Sequence, residues 1–88
     1  MPTRTVTVAS AVGLHARPAA LFAAAAAKQA VPVTIGKPGD EAVDARSVLS
    51  VLTLDARHGD EVVLTAEGDG ADDALDVLEA LLRIDHDA

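Results

Sequence analysis

In Gly13-Leu14-His15-Ala16-Arg17-Pro18-Ala19-Ala20, a histidine stands two residues ahead of an arginine and three ahead of a proline. Histidine titrates near neutrality, so an unprotonated ring nitrogen is available as a nucleophile. Arginine presents a fork of donors that matches phosphate oxygens. From Arg17 or Pro18 to about Gln29 the residues are strong helix formers, and Pro18 suits a first helical turn. The N–H groups of such a turn lack intrahelical partners and favour an anion placed over them. Together these parts suit a phosphoryl group resting on His15 through a labile nitrogen–phosphorus bond, next to a guanidinium. On the residues alone two plainer readings stay open. His15 could cap the helix beside a solvated Arg17, or the helix mouth could hold an anionic ligand noncovalently. A free enzyme using His15 as acid–base catalyst fits less well, because no second catalytic group accompanies it and so small a domain encloses little substrate.

The elements that must position His15 are drawn from 88 residues, which is room for one domain spanning residues 1–88. Half of them are apolar, yet Phe22 is the only aromatic, so the core must be built from Val, Leu, Ile and many Ala. The absence of Cys excludes disulfide scaffolds, thiol nucleophiles and Cys-based metal sites. No apolar run reaches the roughly 18 residues of a membrane span, and no signal layout opens the chain, so a cytoplasmic protein without membrane insertion is expected. A net charge of −7 argues against nucleic acid as a partner. The charge is unevenly placed: residues 1–39 carry +4 with no acid, and residues 40–88 carry −11. Interleaving of the two halves in space would cancel much of that asymmetry; otherwise the first half would serve an anionic partner.

Thr3 to Val8 alternates with β-branched residues and reads as a strand with Val6 and Val8 inward. After the Arg17–Gln29 helix, Val31, Val33 and Ile35 alternate again, with Pro32 marking an edge or a strand entry. Gly36-Lys37-Pro38-Gly39-Asp40 is a turn, and Glu41 to Asp44 would return as the second arm of a hairpin. Ser47 to Thr53 reads as a short helix capped by Ser47, and Glu61 to Ala66 as a fourth strand. Ala71, Ala74, Leu75, Leu78, Leu81 and Leu82 recur at helical spacing, with Asp72 and Asp73 in the first turn where the helix dipole favours them. The order βαββαβα predicts an α+β domain with helices on one face of a mainly antiparallel sheet.

Gly13-Leu14-His15-Ala16-Arg17-Pro18-Ala19 closely resembles the active-site motif of HPr, the histidine-containing phosphocarrier of the bacterial phosphoenolpyruvate:sugar phosphotransferase system. Val43 to Leu54 resembles that family's second signature, and Gly59-Asp60-Glu61-Val62 and Glu67-Gly68 add a third likeness. The resemblance extends over the whole chain. It implies an HPr-like open-faced β-sandwich, a four-stranded antiparallel sheet covered on one side by three helices. It also implies a monomeric carrier needing no cofactor and no metal. His15 would accept a phosphoryl group on Nδ1 from phosphorylated Enzyme I and pass it to an EIIA domain of a sugar permease, while Arg17 steadies the group. Ser47 aligns with the serine that an HPr kinase/phosphorylase modifies in some lineages. A docking face would include Ala20, Leu21 and Ala24 of the first helix and Val48, Leu49 and Leu52 of the short one, with most of these six expected in the core. A paralogue serving a regulatory, nitrogen-related branch would use the same chemistry.

The chain departs from the family at Ser50, where many relatives have glycine or lysine, and at Ala24 and Ala27, where lysines are frequent. Those changes bear on docking rather than on the histidine's chemistry. His58 and His86 complete the histidines, and their spacing matches no common metal-ligand pattern.

Overall fold

The computed structural model describes residues 2–9 and 13–84, so His86 lies outside the described residues. Its strands are β1 (Thr3–Thr7), β2 (Val33–Gly36), β3 (Val43–Asp44) and β4 (Glu61–Ala66); its helices are α1 (Ala16–Ala27), α2 (Val48–Thr53) and α3 (Ala71–Leu82). The strands form one sheet in the order β1-β4-β2-β3, every neighbouring pair antiparallel. The period-two patterns explain the register. Val6 pairs with Val62 and Ile35 with Leu64, and all four are buried with Val8, Val33 and Ala66 on the face the helices cover. Threonines 3, 5 and 7 face the other way and are exposed.

Phe22, Leu75 and Leu78 fill the space between helices and sheet, and Ala19, Ala23, Ala26, Ala71 and Ala74 let the backbones come close. This is how a chain with one aromatic closes a core. Arg4, on the helix-facing side of β1, reaches α3: its guanidinium donates to Asp76 at 2.7 Å and to Glu79 at 2.9 Å, with Asp72 at 3.6 Å. Lys37 lies 3.6 Å from Asp60. Two of the four cations of the first half are thus neutralised by acids of the second, as interleaving requires. Arg17 and Lys28, both exposed, make no ion pair among the described residues.

The expected return strand from Glu41 is shorter, because Glu41 and Ala42 are exposed and pairing starts only at Val43 opposite Ile35. Pro32 marks a strand entry and not an edge: β2 lies inside the sheet, and β1 and β3 form its borders. Val8 lies one residue beyond β1 but keeps a ladder-like pair, donating to Asp60 O at 2.9 Å and accepting from Gly59 N–H at 2.9 Å. No described helix is long and apolar enough to cross a membrane.

Candidate functional site

His15 is the residue that introduces α1, with extended backbone and no side-chain capping bond, so the capping role that its position allowed is not the one it plays. Two anchors place it. Leu14 is 2% exposed and its N–H donates to Ala56 O at 2.8 Å, which pins the chain just before His15 to the segment beyond α2. Gly13, at φ +73°, makes that approach possible, since a Cβ there would stand 2.4 Å from Ala56 O. On the other side Ala16 takes φ +45°, a left-handed conformation that costs a residue with a Cβ about 1–2 kcal/mol. Regular right-handed helix therefore begins at Arg17, one of the two starts, Arg17 or Pro18, that the sequence marks.

The imidazole is 44% exposed, and its Nε2 lies 3.4 Å from Asp55 Oδ1. Among the described residues no hydrogen bond or ion pair involves Nδ1. Asp55 follows the C-terminus of α2 and holds φ +50°, which Asp tolerates better than most residues. Its other oxygen accepts from Arg57 at 3.1 Å, and its carbonyl accepts from the Lys37 ammonium at 3.1 Å. The Arg57 hydrogen bond and charge hold the Asp55 carboxyl below its ordinary range, with His15 and then Lys37 adding to the effect. Asp60 completes the cluster by accepting from the Arg57 backbone N–H at 3.0 Å. Arg17 is exposed two residues beyond His15, with its guanidinium uncommitted among the described residues.

Ser47 caps α2 as its position suggests, accepting from Ser50 N–H at 3.2 Å. The docking-face residues need a correction. Ala20, Leu21, Ala24, Val48 and Leu49 are exposed, and only the half-buried Leu52 packs against the core. The buried stripe of α1 is Pro18, Ala19, Phe22, Ala23 and Ala26, which leaves Arg17, Leu21, Ala24 and Lys28 on the opposite side at helical spacing. Val48 and Leu49 point outward because α2 is too short to bury more than Val51. Asp55, Arg57 and Lys37 are the residues that sequence reasoning passed over. Asp55 has only one local signal, a residue tolerant of left-handed backbone just after a helix. His58 is outside this cluster, its Nδ1 3.2 Å from Ala9 O. Among the described residues no group of three His, Asp or Glu side chains is arranged to hold a metal ion.

The family model described as "PTS HPr component phosphorylation site" matches residues 2–83. The chain belongs to the HPr family. Among its HPr relatives, the phosphocarrier protein HPr of Streptomyces coelicolor is 48% identical over 82 residues, covering 93% of this chain and 88% of that protein. The phosphocarrier protein HPr of Haloferax volcanii is 48% identical over 80 residues, 90% of each chain. The crystal structure of a phosphocarrier protein HPr from Bacillus anthracis superposes with a TM-score of 0.86 at 34% identity, over 92% of this chain and 95% of that one. The HPr open-faced sandwich expected from the sequence is thus the fold observed, and the family is that of the phosphotransferase-system phosphocarriers.

Proposed function

We propose that residues 1–88 form one cytoplasmic HPr domain that carries phosphoryl groups on His15 Nδ1. It takes them from phosphorylated Enzyme I and delivers them to a histidine of an EIIA domain of a sugar permease. The supporting observation is the half-exposed imidazole whose Nε2 is turned to a carboxylate, leaving Nδ1 for chemistry. In this reading Arg17 steadies the phosphoryl oxygens during transfer, using a guanidinium that no described residue neutralises. The chain itself turns over no substrate; its partners phosphorylate and dephosphorylate it. Membership of a phosphocarrier family favours this over noncovalent anion binding, which would need neither a free Nδ1 nor a protein donor. The test is intact mass after incubation with Enzyme I, phosphoenolpyruvate and Mg²⁺. One phosphoryl addition, lost in acid and kept in base, is expected; no addition with an Enzyme I active on another carrier would sink the reading.

The docking face in this proposal is the exposed side of α1 with the outer side of α2, two helices that pack on each other. Leu49, 77% exposed, offers the largest apolar area there, and Arg17 and Lys28 supply charge for acidic partners. Leu49→Asp is expected to raise the KM for Enzyme I by roughly tenfold through lost apolar contact and added repulsion, with kcat little changed. Steady-state transfer assays check this, and an unchanged KM would remove Leu49 from the interface. At Ser47, a phosphate added by an HPr kinase/phosphorylase could still accept from Ser50 N–H, so modification would alter the docking face without unfolding α2.

A further inference from the structure

We propose that Asp55 is a positioning residue for His15: its carboxylate holds the Nε2–H, presents the Nδ1 lone pair outward, and balances the positive charge the ring gains when Nδ1 is phosphorylated. This rests on the phosphocarrier reading and adds a residue to it. Three observations support it. Asp55 Oδ1 stands 3.4 Å from Nε2, at ion-pair distance from a ring that is half-exposed. The carboxylate is itself braced, its Oδ2 tied to Arg57 at 3.1 Å and its backbone carbonyl to Lys37 at 3.1 Å. Its φ of +50° fixes the backbone in a conformation most residues avoid, yet the side chain there faces the histidine.

The chemistry balances without a separate base. When the ring accepts, the Nδ1 lone pair forms the new N–P bond while the donor's own bond to phosphorus breaks and its electron pair returns to the donor. Nε2 keeps its proton throughout, so the neutral imidazole becomes a cation facing Asp55. On donation the N–P electron pair returns to Nδ1 and the ring is neutral again. Among the described residues, the charged groups linked to the ring are Asp55, its partners Arg57 and Lys37, and Asp60 behind Lys37, with the exposed Arg17 two residues along the chain. Of these only Asp55 has a negative group within ion-pair distance of the ring.

The test uses the full chain and phosphoramidate, a small donor that needs no docking partner. Wild type is compared with Asp55→Asn and Asp55→Gly. Both replacements accept a left-handed backbone, so both variants should fold, which thermal melting verifies. The expected rate of His15 phosphorylation falls roughly threefold to tenfold in Asp55→Gly, and less in Asp55→Asn, whose amide oxygen can still accept from Nε2–H. The decisive readout is the pH profile of phosphohistidine hydrolysis, which requires a protonated ring. Both variants should hydrolyse along a profile displaced to lower pH by about half a unit, because neither retains the carboxylate charge. Coincident profiles overturn the proposal even where the rate has dropped, since a structural effect alone would give that result. Equal rates with coincident profiles overturn it as well. A wild type that takes no phosphoryl group from phosphoramidate would sink the phosphocarrier reading, and this assignment with it.

Discussion

His15→Ala is expected to accept no phosphoryl group from Enzyme I and phosphoenolpyruvate, a loss of about a thousandfold or more, while keeping the wild-type fold. The expectation separates chemistry from structure. His15 is the one histidine in the sequence before His58, and Arg17 can hold a phosphoryl group but cannot form a transferable bond to it. The fold should hardly notice. His15 makes no capping bond, is 44% exposed, and contacts Asp55 only at 3.4 Å. Alanine adopts the extended backbone of His15 without strain and removes no capping bond, so the stability change should stay within about 0.5 kcal/mol. Intact mass and a thermal melt on the same sample check both halves. A phosphoryl group retained by the variant would move the acceptor elsewhere, with His58 the first residue to test.

Gly13→Ala should have the opposite profile, a large loss of stability from a residue with no chemistry of its own. At φ +73° a side chain is disfavoured by about 1–2 kcal/mol before any contact is considered. The added Cβ would then meet Ala56 O at 2.4 Å and Arg57 Cα at 2.7 Å, both backbone atoms that cannot swing aside. The segments must separate, which strains the 2.8 Å bond from Leu14 N–H to Ala56 O. Loss of about 3 kcal/mol or more is expected, a large share of the roughly 5–15 kcal/mol that a small domain has. In a chain of this size that lowers the melting temperature by about 15 °C. A drop of less than about 3 °C would show that the two segments part without cost. Because residues 55–57 carry Asp55 and Arg57, the same change should loosen the histidine's surroundings and slow phosphorylation in the fraction that remains folded.

The four strands and three helices were legible locally because each follows a short-range rule. Alternating Val6 and Val8, or Val62 and Leu64, can be buried only as strand faces, and Ala71 to Leu82 can present one apolar stripe only as a helix. Ser47 was legible as a cap for the same reason, since its partner Ser50 lies three residues away. The return strand was overestimated at Glu41 because turn chemistry marks where a hairpin reverses but not where pairing begins, and the exposed Glu41 and Ala42 make no ladder pair. The docking residues were misjudged in burial for a related reason: apolar composition does not say which side of a short helix meets the sheet. Leu49 and Val51 look alike in the sequence, yet one is 77% exposed and the other fully buried.

The sequence by itself determined the motif around His15, the order of elements and the family, because residue type and near-neighbour spacing carry all three. Only the tertiary structure decided what surrounds the histidine. Asp55 reaches Nε2, Lys37 reaches the Asp55 carbonyl and Arg4 clamps β1 to α3 through contacts between residues far apart in the chain. Such pairs leave no periodicity to read. They depend on sheet order and on two left-handed residues, Ala16 and Asp55, whose backbones turn their side chains to places no local rule would assign.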